Sequence, residues 1–334
     1  MRNFGKTNMR IKRVGFGGIP IQRITQEDTN KVVDELVKQG VNFIDTARGY
    51  TVSEEYIGNA LEGRRDKFYI ATKSMSRNYE DMKKDIDISL KNLKTDYIDL
   101  YQIHNLKSEE YDTIFDDNKA YKALLDAKEQ GKIKNIGITS HSLETIKKAV
   151  EDGKFATIQF PYNIVEDQAD EVFRKAHEKG IGTITMKPLA GGAIDDGALA
   201  IKYILSKEYI DVAIPGMNTV EQVIENVSVI NDTVLTQMDN EKIEKIRKEL
   251  SGNFCRRCEY CMPCPNNVNI PQNFLLEGYY TRYNLKEWAL ERYESLGTAK
   301  ASECIECGIC EEKCPYNLPI REMLKNVYDK LENK

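Results

Sequence analysis

Short apolar runs alternate along most of the chain with longer stretches in which apolar residues recur three and four positions apart. The runs VGFG (14–17), VNFID (41–45), FYIAT (68–72), YIDLYQI (97–103), IKNIGIT (133–139), ATIQF (156–160), GTITM (182–186) and DVAIP (211–215) are rich in β-branched and aromatic residues and bounded by turn formers, which predicts strands. The intervening segments 27–39, 54–62, 79–93, 117–130, 142–151, 166–179, 196–206 and 219–229 carry the helical period. Gly40, Gly131 and Gly180 stand where helices stop in a left-handed residue. Ser142 and Thr219 are placed as N-caps, and Gln222 completes a capping-box pattern with Thr219. Eight strands alternating with eight helices predict a parallel sheet with right-handed crossovers. The sheet is either closed as a (β/α)8 barrel or open and doubly wound, and the count of eight favours the barrel. Gly15-Phe16-Gly17-Gly18 lacks the G-x-G-x-x-G spacing of a Rossmann phosphate site and is read as a tight turn.

The cysteines divide the chain. All eight lie between Cys255 and Cys314, and five of the nine prolines follow residue 262, so residues 1–250 and 251–334 are expected to be separate domains. The spacings are Cys255, Cys258, Cys261, Cys264-Pro265 and Cys304, Cys307, Cys310, Cys314-Pro315. The second run reads C-x2-C-x2-C-x3-C-P, in which three thiolates hold one [4Fe-4S] cluster and the fourth reaches the neighbouring one. Cys255, Cys258, Cys261 and Cys314 would then bind one cluster and Cys304, Cys307, Cys310 and Cys264 the other. Two all-cysteine zinc sites are the metal alternative. Disulfides are disfavoured because no apolar signal segment opens the chain and no eighteen-residue apolar run crosses a membrane, which indicates a reducing, cytoplasmic setting. The net charge is -5 and no basic run exceeds two residues, so nucleic acid and anionic membrane lose their electrostatic basis as partners.

In a barrel, polar residues at the C-terminal ends of strands face the mouth where chemistry occurs. Asp45 closes VNFID, Tyr50 follows it, Lys73 closes FYIATK and His104 closes YIDLYQIH. An ammonium beside a phenol favours the phenolate, an aspartate keeps that ammonium charged, and an imidazole can orient a substrate oxygen. Taken singly, each has a plainer reading as a cap, a loop residue or a structural histidine.

VNFIDTARGY, FYIATK and YIDLYQIH, in this order and spacing, resemble the tetrad segments of the aldo/keto reductase superfamily over roughly residues 10 to 235. The resemblance implies a (β/α)8 barrel binding an extended nicotinamide cofactor, with Tyr50 as general acid, Lys73 and Asp45 tuning it and His104 orienting the carbonyl. It also implies that Thr139, Ser140 and Gln159 meet the nicotinamide carboxamide and that Met186 or Lys187 lies where an aromatic often stacks on the ring. IPGMNTVEQVIEN resembles the adenosine-binding turn and helix, which brings in Gly216, Asn218, Gln222 and Asn226. Many NADPH-using members carry Lys or Arg where Gly216, Asn218 and Gln222 stand, so NADH is expected to serve at least comparably. The C-terminal region is similar to the ferredoxin-like iron-sulfur domain fused to some members, and CMPCP resembles its first run.

Nicotinamide moves two electrons as hydride whereas clusters pass one at a time, and no flavin motif joins the two. The expected activity is interconversion of a small-molecule carbonyl and an alcohol with NAD(P)(H), the clusters serving electron transfer, with a protein electron partner, or structure. The alternative is an electron-transfer or redox-sensing protein whose barrel binds a partner or nucleotide without hydride chemistry. Tyr279, Tyr280, Tyr283, Trp288 and Tyr293 lie between the cysteine runs and read as packing for a small module or as a wall against substrate. Specificity is expected in the mouth loops 105–116 and 188–197.

Overall fold

The computed structural model describes residues 1–250, 255, 261–281, 285–314 and 316–333. The chain divides into two compact units, residues 1–189 with 196–236, and residues 190–195 with 237–334. Cys258, Tyr283 and the segment 251–254 lie outside the described residues.

The first unit is the barrel. Its strands are β1 (Phe16–Gly17), β2 (Phe43–Asp45), β3 (Tyr69–Ser74), β4 (Ile98–Ile103), β5 (Ile133–Thr139), β6 (Thr157–Pro161), β7 (Gly182–Met186) and β8 (Val212–Ala213). Each is parallel to the next. Parallel bridges Val14↔Ala213 and Gly17↔Gly216 join the two edges and close the sheet. Closure corrects the tight-turn reading of Gly15 to Gly18, because none of these glycines has a positive φ. What the seam needs is the missing side chain: a Cβ on Gly17 would meet the Ile214 carbonyl oxygen at 2.8 Å.

The helices α1 (Gln26–Lys38), α2 (Ser53–Ala60), α3 (Tyr79–Asn92), α4 (Ala120–Glu129), α5 (Leu143–Asp152), α6 (Asp170–Glu178), α7 (Gly197–Leu205) and α8 (Val220–Ser228) alternate with the strands. The Ser142 hydroxyl accepts from Thr145 N at 3.3 Å and Thr219 from Gln222 N at 3.3 Å, satisfying first-turn donors that the helix itself leaves open. Gly40, Gly131 and Gly180 all take positive φ, as expected of residues that turn the chain out of a helix.

The N-terminal end of the barrel is plugged by an antiparallel pair, Arg2–Asn3 with Arg10–Ile11. Phe4 enters from this hairpin and meets Phe43 edge to face at 5.4 Å. Met9, Ile11, Leu100, Ile184 and Val212 complete a buried cluster around them. Gly182 leaves space for the plug, since a Cβ there would lie 2.7 Å from the Phe4 ring.

The second unit is helical among its described residues: α9 (Gln237–Leu250), α10 (Ile270–Thr281), α11 (Lys286–Glu294), α12 (Ile309–Glu312) and α13 (Ile320–Leu331). Its core joins Val268, Ile270, Leu276, Leu324 and Val327 to Cys261, Cys310 and Cys314. Tyr293 is buried there, its hydroxyl donating to Glu332 at 2.7 Å and accepting from Ala301 N at 3.0 Å. Tyr279 meets Trp288 at 4.7 Å, and the Arg292 guanidinium lies 3.7 Å from the Trp288 ring centroid. No helix among the described residues is long and apolar enough to cross a membrane.

Candidate active site and cysteine module

Three successive strands bring four functional groups to one side of the barrel mouth. Asp45 ends β2 and Lys73 lies near the end of β3, and both are buried, at 2% and 1% exposure. Lys73 Nζ donates to Asp45 Oδ1 at 2.5 Å and to the Thr46 carbonyl at 2.7 Å. The same nitrogen lies 5.0 Å from the centroid of the Tyr50 ring. His104, just beyond β4, forms a T-shaped pair with Tyr50, with ring centroids 6.0 Å apart at 86°. Burial pushes Asp45 up and Lys73 down, and their mutual attraction opposes both shifts. Burial, followed by the charges of Lys73 and Arg77, holds His104 well below the ordinary imidazole range, so the ring is neutral. Its Nδ1 is buried and has no hydrogen-bond partner among the described residues.

The loop that carries Tyr50 is anchored from below by a carboxylate that sequence reading placed only as the start of a helix. Glu54 is 1% exposed. Its Oε1 accepts from Thr72 and Ser89 hydroxyls at 2.7 Å each, and its Oε2 from Arg48 at 3.1 Å and Asn92 at 3.3 Å. Arg48 also pairs with Asp85 at 3.6 Å, and Ser76 donates to that carboxylate at 2.6 Å. The only advance signal was an acidic residue in a first helical turn, which ordinarily means solvent exposure beside the helix dipole.

The expected cofactor residues are spread over β5 to α8, and several are engaged with the protein itself. Thr139 Oγ1 accepts from Asn105 N at 2.8 Å. Ser140 Oγ donates to the Leu106 carbonyl at 2.6 Å and accepts from Ser142 N at 3.0 Å. Gln159 Oε1 accepts from Gln102 Nε2 at 2.9 Å. Met186 ends β7 and is half-buried, and Lys187 follows it with a positive φ of 56°. Gly216 sits at the barrel seam, where a Cβ would meet Pro20 at 2.8 Å. Gln222 turns its amide oxygen to Asn218 N at 2.8 Å. Asn226 is buried with its Oδ1 unpartnered among the described residues, an open acceptor that an exocyclic amine would satisfy.

In the second unit Cys255, Cys261, Cys264, Cys304, Cys307, Cys310 and Cys314 are thiols rather than disulfide sulfurs, so the donor chemistry suits iron-sulfur ligation. Cys255, Cys264 and Cys304 pack against the core that contains Cys261, Cys310 and Cys314, and Cys307 is exposed. Among the described residues no three His, Cys, Asp or Glu converge on a single ion.

A closed parallel barrel with a buried carboxylate-ammonium pair, a tyrosine and a histidine at its mouth is the build of an oxidoreductase. The chain belongs to the aldo/keto reductase family, whose model matches residues 13–198. A 4Fe-4S dicluster domain matches residues 254–319. L-galactose dehydrogenase of Arabidopsis thaliana is 26% identical over 297 residues, covering 74% of this chain and 92% of that protein. The aldo-keto reductase YhdN of Bacillus subtilis is 32% identical over 208 residues, covering 56% of this chain and 61% of its own. Among solved structures, the holo form of an aldo-keto reductase from Bacillus halodurans superimposes with a TM-score of 0.64 at 24% identity, over 73% of this chain and 95% of that one, which shows the shared fold.

Proposed function

We propose that this chain interconverts a small-molecule carbonyl and an alcohol with NAD(P)(H), Tyr50 giving or taking the proton. The observation that carries this reading is Lys73, bonded to buried Asp45 and 5.0 Å from the Tyr50 ring, with the His104 ring 6.0 Å from the same phenol ring. When bound, the nicotinamide would supply a hydride, the electron pair together with its hydrogen, for the carbonyl carbon. Tyr50 delivers its phenolic proton to the carbonyl oxygen. Lys73 stabilises the phenolate left behind, and Asp45 holds Lys73 charged and turned inward. Neutral His104 brings a hydrogen bond to the substrate oxygen without adding charge, fixing it relative to Tyr50. Asn226, with its open acceptor, fits the adenine end of the cofactor.

In the same proposal residues 1–250 are the reductase domain, and residues 251–334 hold two [4Fe-4S] clusters, one on Cys255, Cys258, Cys261 and Cys314, the other on Cys304, Cys307, Cys310 and Cys264. The clusters would serve electron transfer, with a protein electron partner, or structure, in a cytoplasmic setting.

The test is Tyr50→Phe, assayed anaerobically with NADH and NADPH against a panel of aldehydes and ketones. Turnover is expected to disappear while cluster absorbance stays, and unchanged turnover removes Tyr50 from the chemistry. Iron and sulfide are each expected at about eight per chain. Zinc in their place overturns the cluster assignment.

A further inference from the structure

The side chains just below the barrel mouth include a polar set, where barrels are ordinarily filled with branched apolar groups. Alternate strands supply it: Asp45 from β2, Gln102 from β4 and Gln159 from β6, all buried. Gln102 Nε2 donates to Asp45 Oδ2 at 3.2 Å and to Gln159 Oε1 at 2.9 Å. An ionised carboxylate only accepts, so these bonds decide which end of the Gln102 amide faces Asp45, and they use both amide hydrogens. The other end, Oε1, is buried without a partner among the described residues. An amide that leaves its acceptor unmet in order to keep both donor bonds is held by what it donates to. Reaching Gln159 requires space across β5, which Gly137 provides: a Cβ there would lie 3.1 Å from Gln102 Cγ. Gln102 also stands directly opposite Lys73 in the β3–β4 register.

We propose that Gln102 is a positioning residue for the proton carried by Tyr50, holding the second oxygen of Asp45 so that the carboxylate stays ionised and turned to Lys73. This rests on the reading of Tyr50 given above. The buried pair has a neutral alternative, in which one proton passes from Lys73 Nζ to Asp45 Oδ1 and both charges vanish. Burial favours that state. Gln159 and Gln102 on Asp45 and the Thr46 carbonyl on Lys73 oppose it, because each bond stabilises a charged form, and of the two amides only Gln102 also lies opposite Lys73 in the strand register. The other groups facing the pair are Glu54, which favours the Lys73 charge and is itself paired with Arg48, and neutral His104 with Arg77 behind it. Without Gln102 the carboxylate keeps only the Gln159 bond, the ammonium beside Tyr50 is partly depleted and the phenolate loses part of its support.

The experiment is a pH titration of phenolate absorbance on the full chain, taking the difference from Tyr50→Phe to isolate one tyrosine among 18. Gln102→Met keeps the length of the side chain and removes the donor. It is expected to move the Tyr50 transition upward by about one pH unit, and so to lower oxidation of 4-nitrobenzyl alcohol with NAD at neutral pH about tenfold. Gln102→Asn keeps the amide but falls a methylene short, giving a smaller shift of the same sign, and it serves alone if the methionine variant does not fold. An unmoved transition, with only the melting temperature lowered, overturns the proposal and leaves Gln102 a packing residue. Failure of the Tyr50 reading is separate: it shows as full turnover in Tyr50→Phe, whereas the absorbance titration still reports what Gln102 does to the phenol.

Discussion

Tyr50 and His104 stand edge to face with ring centroids 6.0 Å apart, although one belongs to a loop after the second barrel strand and the other follows the fourth. The loop reaches inward because Arg48 N bonds the Lys73 carbonyl at 2.9 Å and Tyr50 N the Ala47 carbonyl at 3.0 Å. The backbone of His104 is tied in turn to the Ser74 carbonyl at 2.9 Å. Both rings are thus fixed to the strand that carries Lys73, and the ammonium lies at 5.0 Å from the Tyr50 ring.

His104 is expected to remain neutral well below pH 6.5. Burial and the cations Lys73 and Arg77 depress its folded value, while the unfolded chain titrates near 6.5. Between those values the unfolded chain binds more protons, so stability falls as pH drops below about 6.5 and is fully retained above it. Nuclear magnetic resonance of the ring protons checks this directly, with the resonance assigned by His104→Asn. A midpoint near 6.5 for that ring contradicts the burial argument. Unfolding free energy is expected to fall by about 1 kcal/mol more in the wild type than in His104→Asn over the first pH unit below 6.5.

The buried carboxylate of Glu54 sets the second expectation. It accepts from Thr72, Ser89, Asn92 and Arg48, which come from a strand, a helix and the Tyr50 loop. Glu54→Leu strands those donors together and is expected to destabilise the barrel by about 3 kcal/mol, read from the barrel's urea transition. Glu54→Gln keeps one acceptor and the shape of the side chain, so its loss should be clearly smaller. Equal losses would mean that volume, not charge, holds the loop.

Sequence pattern revealed what is local. Each barrel strand was an apolar run, the helix caps at Ser142 and Thr219 were visible as side chains at the right offset, and the four groups at the mouth stood out because each is a polar residue ending or following a strand. What it hid depends on distant partners. The hairpin plug is two two-residue strands in polar sequence, and its purpose appears only when Phe4 meets Phe43 and the space left by Gly182. Gln102 sits inside an apolar run, where nothing local tells a buried donor to Asp45 from a tolerated polar residue. The glycines at 15 to 18 looked like a turn because glycine's common use is positive φ, whereas here the seam between the first and last strands excludes a side chain.

Gly58 tests the packing of the outer helices. A Cβ on it would lie 2.2 Å from the Asn92 carbonyl oxygen and 2.8 Å from Leu93 Cα, all backbone that cannot rotate away. Gly58→Ala gains helix propensity of about 1 kcal/mol in an isolated helix. Here the clash dominates, and a net destabilisation of about 1–3 kcal/mol is expected from forcing the second and third helices apart. A melting temperature equal to or above that of the wild type would show that the helices separate freely.

Cofactor preference gives the last expectation. A 2'-phosphate is recognised by cations, and Gly216, Asn218 and Gln222 offer none, while the Gln222 amide oxygen already accepts from Asn218 N at 2.8 Å. NADH is therefore expected to bind at least as well as NADPH, measured as dissociation constants by fluorescence quenching. A hundredfold preference for NADPH, about 2.7 kcal/mol, requires a cation elsewhere and overturns the assignment of this turn as the phosphate end. Gln222→Arg should shift the ratio toward NADPH about tenfold, because the guanidinium adds a charge-assisted bond while Thr219 still caps the helix by accepting from the backbone N of residue 222. If the ratio does not move, the adenosine end of the cofactor lies away from the eighth helix, and the open acceptor of Asn226 needs a different occupant.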